Sequence, residues 1–155
     1  MTTEEFVVNK LINRGWKIAF AESCTGGMCA SRLVDVASAS WVLNESIVTY
    51  ANEAKIKYLG VKKETIDKYN VVSEEVAYEM AIGIKSQAKS NIGIGITGAA
   101  GPTSDGVIPI GNVCIGFAIE NEVFVTTLRL GNVGRNNVRK MATDYVFEYL
   151  NEALS

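Results

Sequence analysis

The chain contains no histidine. That absence removes the commonest general base and the commonest metal ligand, so Ser-His-Asp and Cys-His machinery are excluded within one chain. No apolar run approaches 18 residues, which leaves no candidate for a membrane-spanning helix. The start, Met1-Thr2-Thr3-Glu4-Glu5, is acidic and lacks the basic and apolar stretches of a signal peptide. There are only three cysteines, Cys24, Cys29 and Cys114, too few and of the wrong parity for a closed disulfide framework. A reducing cytoplasm is the expected compartment. Cys24 and Cys29 are poorly spaced to share a metal, so no metal site is expected. A net charge of −2 offers no footprint for nucleic acid or an anionic membrane, though one small anion can still find a local basic pocket.

What is present is an ordinary globular composition. The 155 residues, 48% of them apolar, suffice for one core in one domain. Thr3 is placed to cap a helix to about Asn13, ended by Arg14-Gly15. Lys17–Ala21 is a short apolar strand. A Ser-Cys-Thr-Gly-Gly turn follows, then a helix through Met28, Ala30, Leu33 and Val34. Trp41–Tyr50, rich in β-formers, reads as a second strand, and Asn52 as the cap of a helix carrying Ala54, Ile56, Tyr58 and Leu59. Glu64–Tyr69 and about Ser73–Ser90 are further helices, the latter with Glu74 and Glu75 at its positive start. Asn91–Thr97, NIGIGIT, is a buried strand whose glycines allow close backbone approach. A loop from Gly98 to Gly111 holds both prolines. Asn112–Ile119 and Val123–Leu130 form a hairpin, and a helix spans about Gly134–Leu150. Strands that first alternate with helices and then pair as a hairpin predict a single three-layer α/β/α domain with a mixed sheet.

Four segments carry candidate chemistry. In AESCTGG, residues 21–27, a strand delivers Ser23, Cys24 and Thr25 to a helix start, with Gly26 and Gly27 leaving room for a ligand near the backbone. The pattern is neither a Walker loop nor GxGxxG, and it also fits a plain cap followed by packing glycines. A serine nucleophile without histidine needs lysine, tyrosine or a carboxylate as its base. Lowering a lysine from about 10.4 to roughly 7.5 means about 4 kcal/mol in favour of the neutral form, which burial can supply. In TYANEAK, Lys55 falls in a first helical turn, the unfavourable end of the dipole for a cation. The plainer alternative has it in water, paired with Glu53 or Glu64. Tyr50 ends a strand, either relaying or donating a proton or simply as a half-buried strand-end tyrosine. In GITGAAGP the Thr97 hydroxyl and Gly98 sit at a strand tip, exposed as an anion nest or merely part of a turn. In GRNNVRK, Arg135 and Arg139 share a helix face, suited to a phosphate or carboxylate, or else to solvent.

Taken in order, AESCTGG, VTYANEAK, LGV, VVSEEV, TGAAGP, IGNVCIGFA and GRNNVR resemble the C-terminal domain of the CinA (competence-damage-inducible protein A) family, from about Phe6 to Leu150. Enzymatic members of that family are nicotinamide-nucleotide amidohydrolases. The resemblance implies deamidation of nicotinamide mononucleotide to nicotinate mononucleotide by a Ser–Lys mechanism, with Ser23 as nucleophile, Lys55 as base and Tyr50 as helper. It also implies a homodimer. Many relatives fuse this domain to a molybdopterin-binding-like one. Met1 lies just before the first helix here, so a free-standing domain is expected. Relatives commonly have SGIAGP where this chain has Thr97 in ITGAAGP, and the loop Thr103–Ile108 lacks a multi-glycine tract.

Residue chemistry completes this expectation. N–H groups of Thr25 and Gly26 are the expected oxyanion donors. Arg135, Arg139 or the Thr97-Gly98 turn is expected to take the phosphate. Glu22 either faces the cationic ring or braces the loop. Cys24, at a helix start, is the rival nucleophile. The alternative function is a non-catalytic nucleotide-binding or interaction domain linked to competence or DNA damage.

Overall fold

The computed structural model describes residues 1–155. One sheet of five strands runs in the order β2-β1-β3-β4-β5. The strands are β1 (Ile18–Glu22), β2 (Ile47–Val48), β3 (Ile92–Gly98), β4 (Asn112–Ile119) and β5 (Glu122–Arg129). The first three are parallel, and β3-β4-β5 is an antiparallel meander, which makes the sheet mixed as expected. The helices are α1 (Thr3–Arg14), α2 (Met28–Val34), α3 (Asn52–Leu59), α4 (Lys63–Tyr69), α5 (Glu74–Ala88) and α6 (Arg135–Ala153). No helix is long and apolar enough to cross a membrane.

The three layers follow from the alternation of side chains along β1 and β3. Ile92, Ile94 and Ile96 join Ile18 and Phe20 on one face, where α1, α2 and α6 bring Val8, Leu11, Leu33, Val146 and Phe147. Ala19 and Ala21 face the other way, toward Leu59 of α3 and Val76, Met80 and Ile84 of α5. On that second face β3 offers glycine at 93 and 95, and a side chain only at Thr97. A Cβ on Gly95 would stand 2.6 Å from the Ala81 nitrogen and 2.7 Å from the Ala77 oxygen, so α5 lies directly on the strand backbone. The repeat Ile-Gly-Ile-Gly-Ile thus sets a thick core on one side and a close helix contact on the other.

Three boundaries depart from expectation. The α1 cap is Thr2, not Thr3: its side chain accepts from Glu5 N–H, and Glu5 returns a bond to Thr2 N–H, a complete capping box. Trp41–Tyr50 is not one long strand. Ala39–Trp41 is a 3-10 turn, and the polar run Asn44-Glu45-Ser46 interrupts the chain. Ser46 Oγ accepts the Phe20 N–H at 2.9 Å where a strand partner would have done so, leaving Ile47–Val48 as the strand and an isolated bridge from Leu43 to Ile18. Asn52 begins α3 but does not cap it. The cap position is Ala51, with no side-chain bond.

Gly95→Ala is expected to destabilise the fold by about 2 kcal/mol, the usual scale of overpacking, because Cβ meets helix backbone that cannot rotate away. Urea unfolding checks this, and an unchanged midpoint would contradict the close contact.

Candidate active site

Because β1, β2 and β3 are parallel, their carboxyl ends gather at one edge of the sheet. The helix after β1 covers one face and the α3–α5 crossover after β2 covers the other. That reversal opens the crevice where ligands bind in open α/β sheets. Three segments enter it: the turn after Glu22, the Thr49-Tyr50-Ala51 link into α3, and Gly98 at the end of β3.

Lys55 reverses the pattern expected of α3. The apolar residues Ile56 and Tyr58 are exposed, at 37% and 52%, while Lys55 is 1% exposed. Its Nζ lies 3.0 Å from Ser23 Oγ, 2.7 Å from the Thr49 carbonyl oxygen and 3.2 Å from that of Tyr50. Each of the three ammonium hydrogens has an acceptor, and no carboxylate pairs with the charge. The carbonyls favour the ammonium, but burial opposes it more strongly. Burial pulls Lys55 down to about 8, so an appreciable fraction is neutral close to neutral pH. Its place in the first turn of α3 acts in the same direction. The solvent-facing alternative for Lys55 is therefore wrong.

The turn that carries Ser23 is braced from within. Glu22 is 1% exposed and faces away from the crevice. One oxygen accepts Thr25 Oγ1 at 2.6 Å and Cys29 N–H at 3.0 Å, and the other accepts Ala30 N–H at 3.0 Å. This carboxylate caps the open start of α2, whose cap residue Gly27 has no side chain. Of its two expected roles, Glu22 has that of the brace. The Thr25 side chain is occupied there too. Gly26 and Gly27 adopt φ of 59° and 105°, conformations that side chains resist. The Gly26 N–H closes the turn onto the Ser23 carbonyl at 3.0 Å, while Thr25 N–H has no partner. Of the two expected oxyanion donors, only Thr25 N–H is free.

Arg135 and Arg139 separate. Arg135 is exposed, and it donates to the Gly101 carbonyl and to Tyr50 Oη, each at 2.7 Å. Arg139 reaches behind the Ser23 turn, with Nε on the Cys24 carbonyl at 2.8 Å and Nη2 on that of Thr25 at 3.2 Å. Arg135 is thus the arginine at the crevice mouth. Tyr50 is more open than the half-buried strand-end tyrosine expected, at 59%, and its phenol meets Arg135 rather than Ser23 or Lys55. Thr97 is not exposed at a tip: it is 2% exposed, and its hydroxyl donates to the Val71 carbonyl at 2.9 Å. Gly98 makes space for Cys24, because a Cβ there would come within 2.9 Å of the Cys24 sulfur.

Cys24 is 5% exposed, and burial pushes its thiol up to about 11. The expected acidification at a helix start is overridden by desolvation, which removes the case for a thiolate nucleophile.

These groups line a cavity of about 160 Å³ bounded by Ser23, Cys24, Tyr50, Asn52, Lys55, Val71, Val72, Thr97 and Gly98. A larger hollow of about 570 Å³ lies on the outer side of Gly26-Gly27, between α2 and α6, and holds neither Ser23 nor Lys55. The reactive groups decide in favour of the smaller. Sequence reading missed Val71, Val72 and Asn52 as walls. Asn52 was assigned to capping, and the two valines carry no polar signal.

The fold and cleft define a class, an α/β domain that holds a serine hydroxyl against a buried lysine. Within it, the chain belongs to the CinA C-terminal domain family, whose profile matches residues 1–154. It is 47% identical over 152 residues to a CinA-like protein of Kosmotoga olearia, covering 97% of this chain and 37% of that protein. The chain thus spans little more than a third of such curated relatives, a further one being a protein of Alkaliphilus oremlandii named for competence-damage induction, 48% identical over 97% of this chain and 36% of its own length. Among solved structures, a competence or damage-inducible protein from Enterobacter asburiae superposes with a TM-score of 0.94 at 31% identity, over 100% of this chain and 99% of that one. A CinA superfamily protein from Klebsiella pneumoniae gives 0.92 at 32%, over 99% and 98%.

Folded protein treated with iodoacetamide at pH 7.5 is expected to leave Cys24 unmodified, while the urea-unfolded chain takes label at all three free cysteines. Mass spectrometry reads the result. Fast labelling of Cys24 in the native state would contradict the inert-thiol assignment.

Proposed function

We propose that the protein is an amidohydrolase that converts nicotinamide mononucleotide to nicotinate mononucleotide and ammonia. One observation carries the reading. A buried lysine without a carboxylate partner, lowered to about 8, stands 3.0 Å from a serine hydroxyl in a chain with no histidine. The family resemblance supplies the substrate.

In this scheme neutral Lys55 takes the Ser23 proton as Oγ attacks the amide carbon. Negative charge develops on the carbonyl oxygen, where the unpaired Thr25 N–H serves as a donor. The C–N bond breaks as the proton passes from Lys55 to the leaving nitrogen, releasing ammonia. Water, deprotonated by Lys55, then cleaves the acyl-serine and returns the proton to Ser23. The Thr49 and Tyr50 carbonyls hold the ammonium formed in each half-reaction.

A cavity of about 160 Å³ suits the reacting end of the substrate rather than a whole nucleotide. The ribose phosphate then lies across the mouth, toward Tyr50 and Arg135, and the exposed guanidinium is its natural partner. Tyr50 acts here as a wall and anchor of the mouth rather than as a proton relay.

Ammonia release from nicotinamide mononucleotide tests the proposal. Wild type is expected to turn over, with Ser23→Ala and Lys55→Ala lower by at least three orders of magnitude while still folded. Because Lys55 works as the neutral base, kcat/KM is expected to be low at pH 6, to rise through about 8 and to level off above it. An inert wild type that still binds the nucleotide would overturn the amidase and favour a non-catalytic binding domain.

A further inference from the structure

A trans peptide unit points its carbonyl and its N–H in opposite directions, so whatever grips the first fixes the aim of the second. Arg139 grips two consecutive units. Its Nε bonds the Cys24 carbonyl, which shares a plane with Thr25 N–H, and its Nη2 bonds the Thr25 carbonyl, which shares a plane with Gly26 N–H. The guanidinium therefore stands behind the N–H groups of Thr25 and Gly26, two and three residues after Ser23. One of them closes the turn on Ser23, and the other is unpaired.

Three features set Arg139 apart from an ordinary surface arginine. It forms no ion pair with a carboxylate, and its Nε and Nη2 are given to the carbonyls of the turn. Its guanidinium is also held from its own helix by Asn136 Oδ1, which accepts from Nη1 at 3.1 Å. Finally, a Cβ at Gly26 would stand 3.2 Å from Nη2, so the glycine admits the guanidinium against the chain.

We infer that Arg139 is a positioning residue that aims and polarises the Thr25 N–H as the oxyanion donor of the reaction at Ser23, and that it does not bind the substrate phosphate. This inference rests on the Ser23–Lys55 amidase reading. A positive charge bonded to the carbonyl end of a peptide unit strengthens its N–H as a donor. That effect matters most when a full negative charge develops opposite, so it belongs to the transition state more than to the bound substrate. Arg135, at the mouth, belongs to the substrate instead.

The test uses two reactions. The first is hydrolysis of nicotinamide mononucleotide by wild type, Arg139→Gln, Arg139→Lys and Arg135→Gln. The second is phosphonylation of Ser23 by a small fluorophosphonate, followed by mass spectrometry, which develops charge on the same oxygen but needs no nucleotide. Circular dichroism confirms folding.

Arg139→Gln is expected to lower kcat by 10- to 100-fold, with KM changed less than threefold and the pH midpoint near 8 unmoved; a direct oxyanion donor is typically worth about 10²–10³. Arg139→Lys keeps the charge and falls between. Arg135→Gln is expected to raise KM. Phosphonylation is expected to slow in Arg139→Gln by a similar factor.

Phosphonylation at the wild-type rate in Arg139→Gln would overturn the inference, as would a raised KM with kcat intact, which marks a phosphate ligand. If wild type is phosphonylated but leaves the nucleotide untouched, the substrate reading fails while slowed labelling in the variants sustains the role of Arg139. A wild type that does neither removes both. Should Arg139→Gln fail to fold, Arg139→Lys decides alone: wild-type rates in both reactions would overturn the inference, and intermediate rates support it.

Discussion

Everything else at this site depends on a lysine forced out of water beside a serine. A buried ammonium with no counter-charge is unfavourable, and the fold does not relieve it with a carboxylate. It offers the Thr49 and Tyr50 carbonyls, enough to hold the side chain in one place but too weak to keep it fully charged at neutral pH. The outcome is a buried amine that titrates near neutral pH in a chain without histidine. Its counterpart is α3, which leaves Ile56 and Tyr58 in solvent so that Lys55 can turn inward. A helix arranged for stability alone would do the reverse, and such local violations are expected where function is placed.

The serine is held with equal care. Its turn lies between two charged side chains of opposite sign, Glu22 on the N–H groups that open α2 and Arg139 on the carbonyls of Cys24 and Thr25. Glycines at 26 and 27 supply the backbone angles that let both reach in. Strand order brings this turn, the β2–α3 link and the end of β3 to one edge, so the cleft arises where the helices change sides of the sheet.

Much of this was legible in the sequence, for identifiable reasons. The Ile-Gly-Ile-Gly-Ile run encodes both faces of β3, and the fold class followed from alternation and then pairing. Lys55 stood out because a cation sits badly in a first helical turn. What stayed hidden was long-range. Nothing local says that Ser46 will take a strand partner's bond and shorten β2, or that Thr97 will fold its hydroxyl onto Val71. Arg135 and Arg139 look equivalent at four residues apart, yet one ends at the mouth and the other behind the turn, because their targets lie far away in the chain. Cys24 stands as a rival to Ser23 in the sequence for a similar reason: a helix start is visible there and burial is not.

The most direct test of the central claim is the titration of Lys55 itself, followed by the ¹³C shift of its Cε in lysine-labelled protein, with Lys55→Met assigning the signal. The account predicts a midpoint near pH 8, well below the other lysines. A midpoint above 10 would mean that the amine stays charged under working conditions, and Lys55 would then be no base for Ser23.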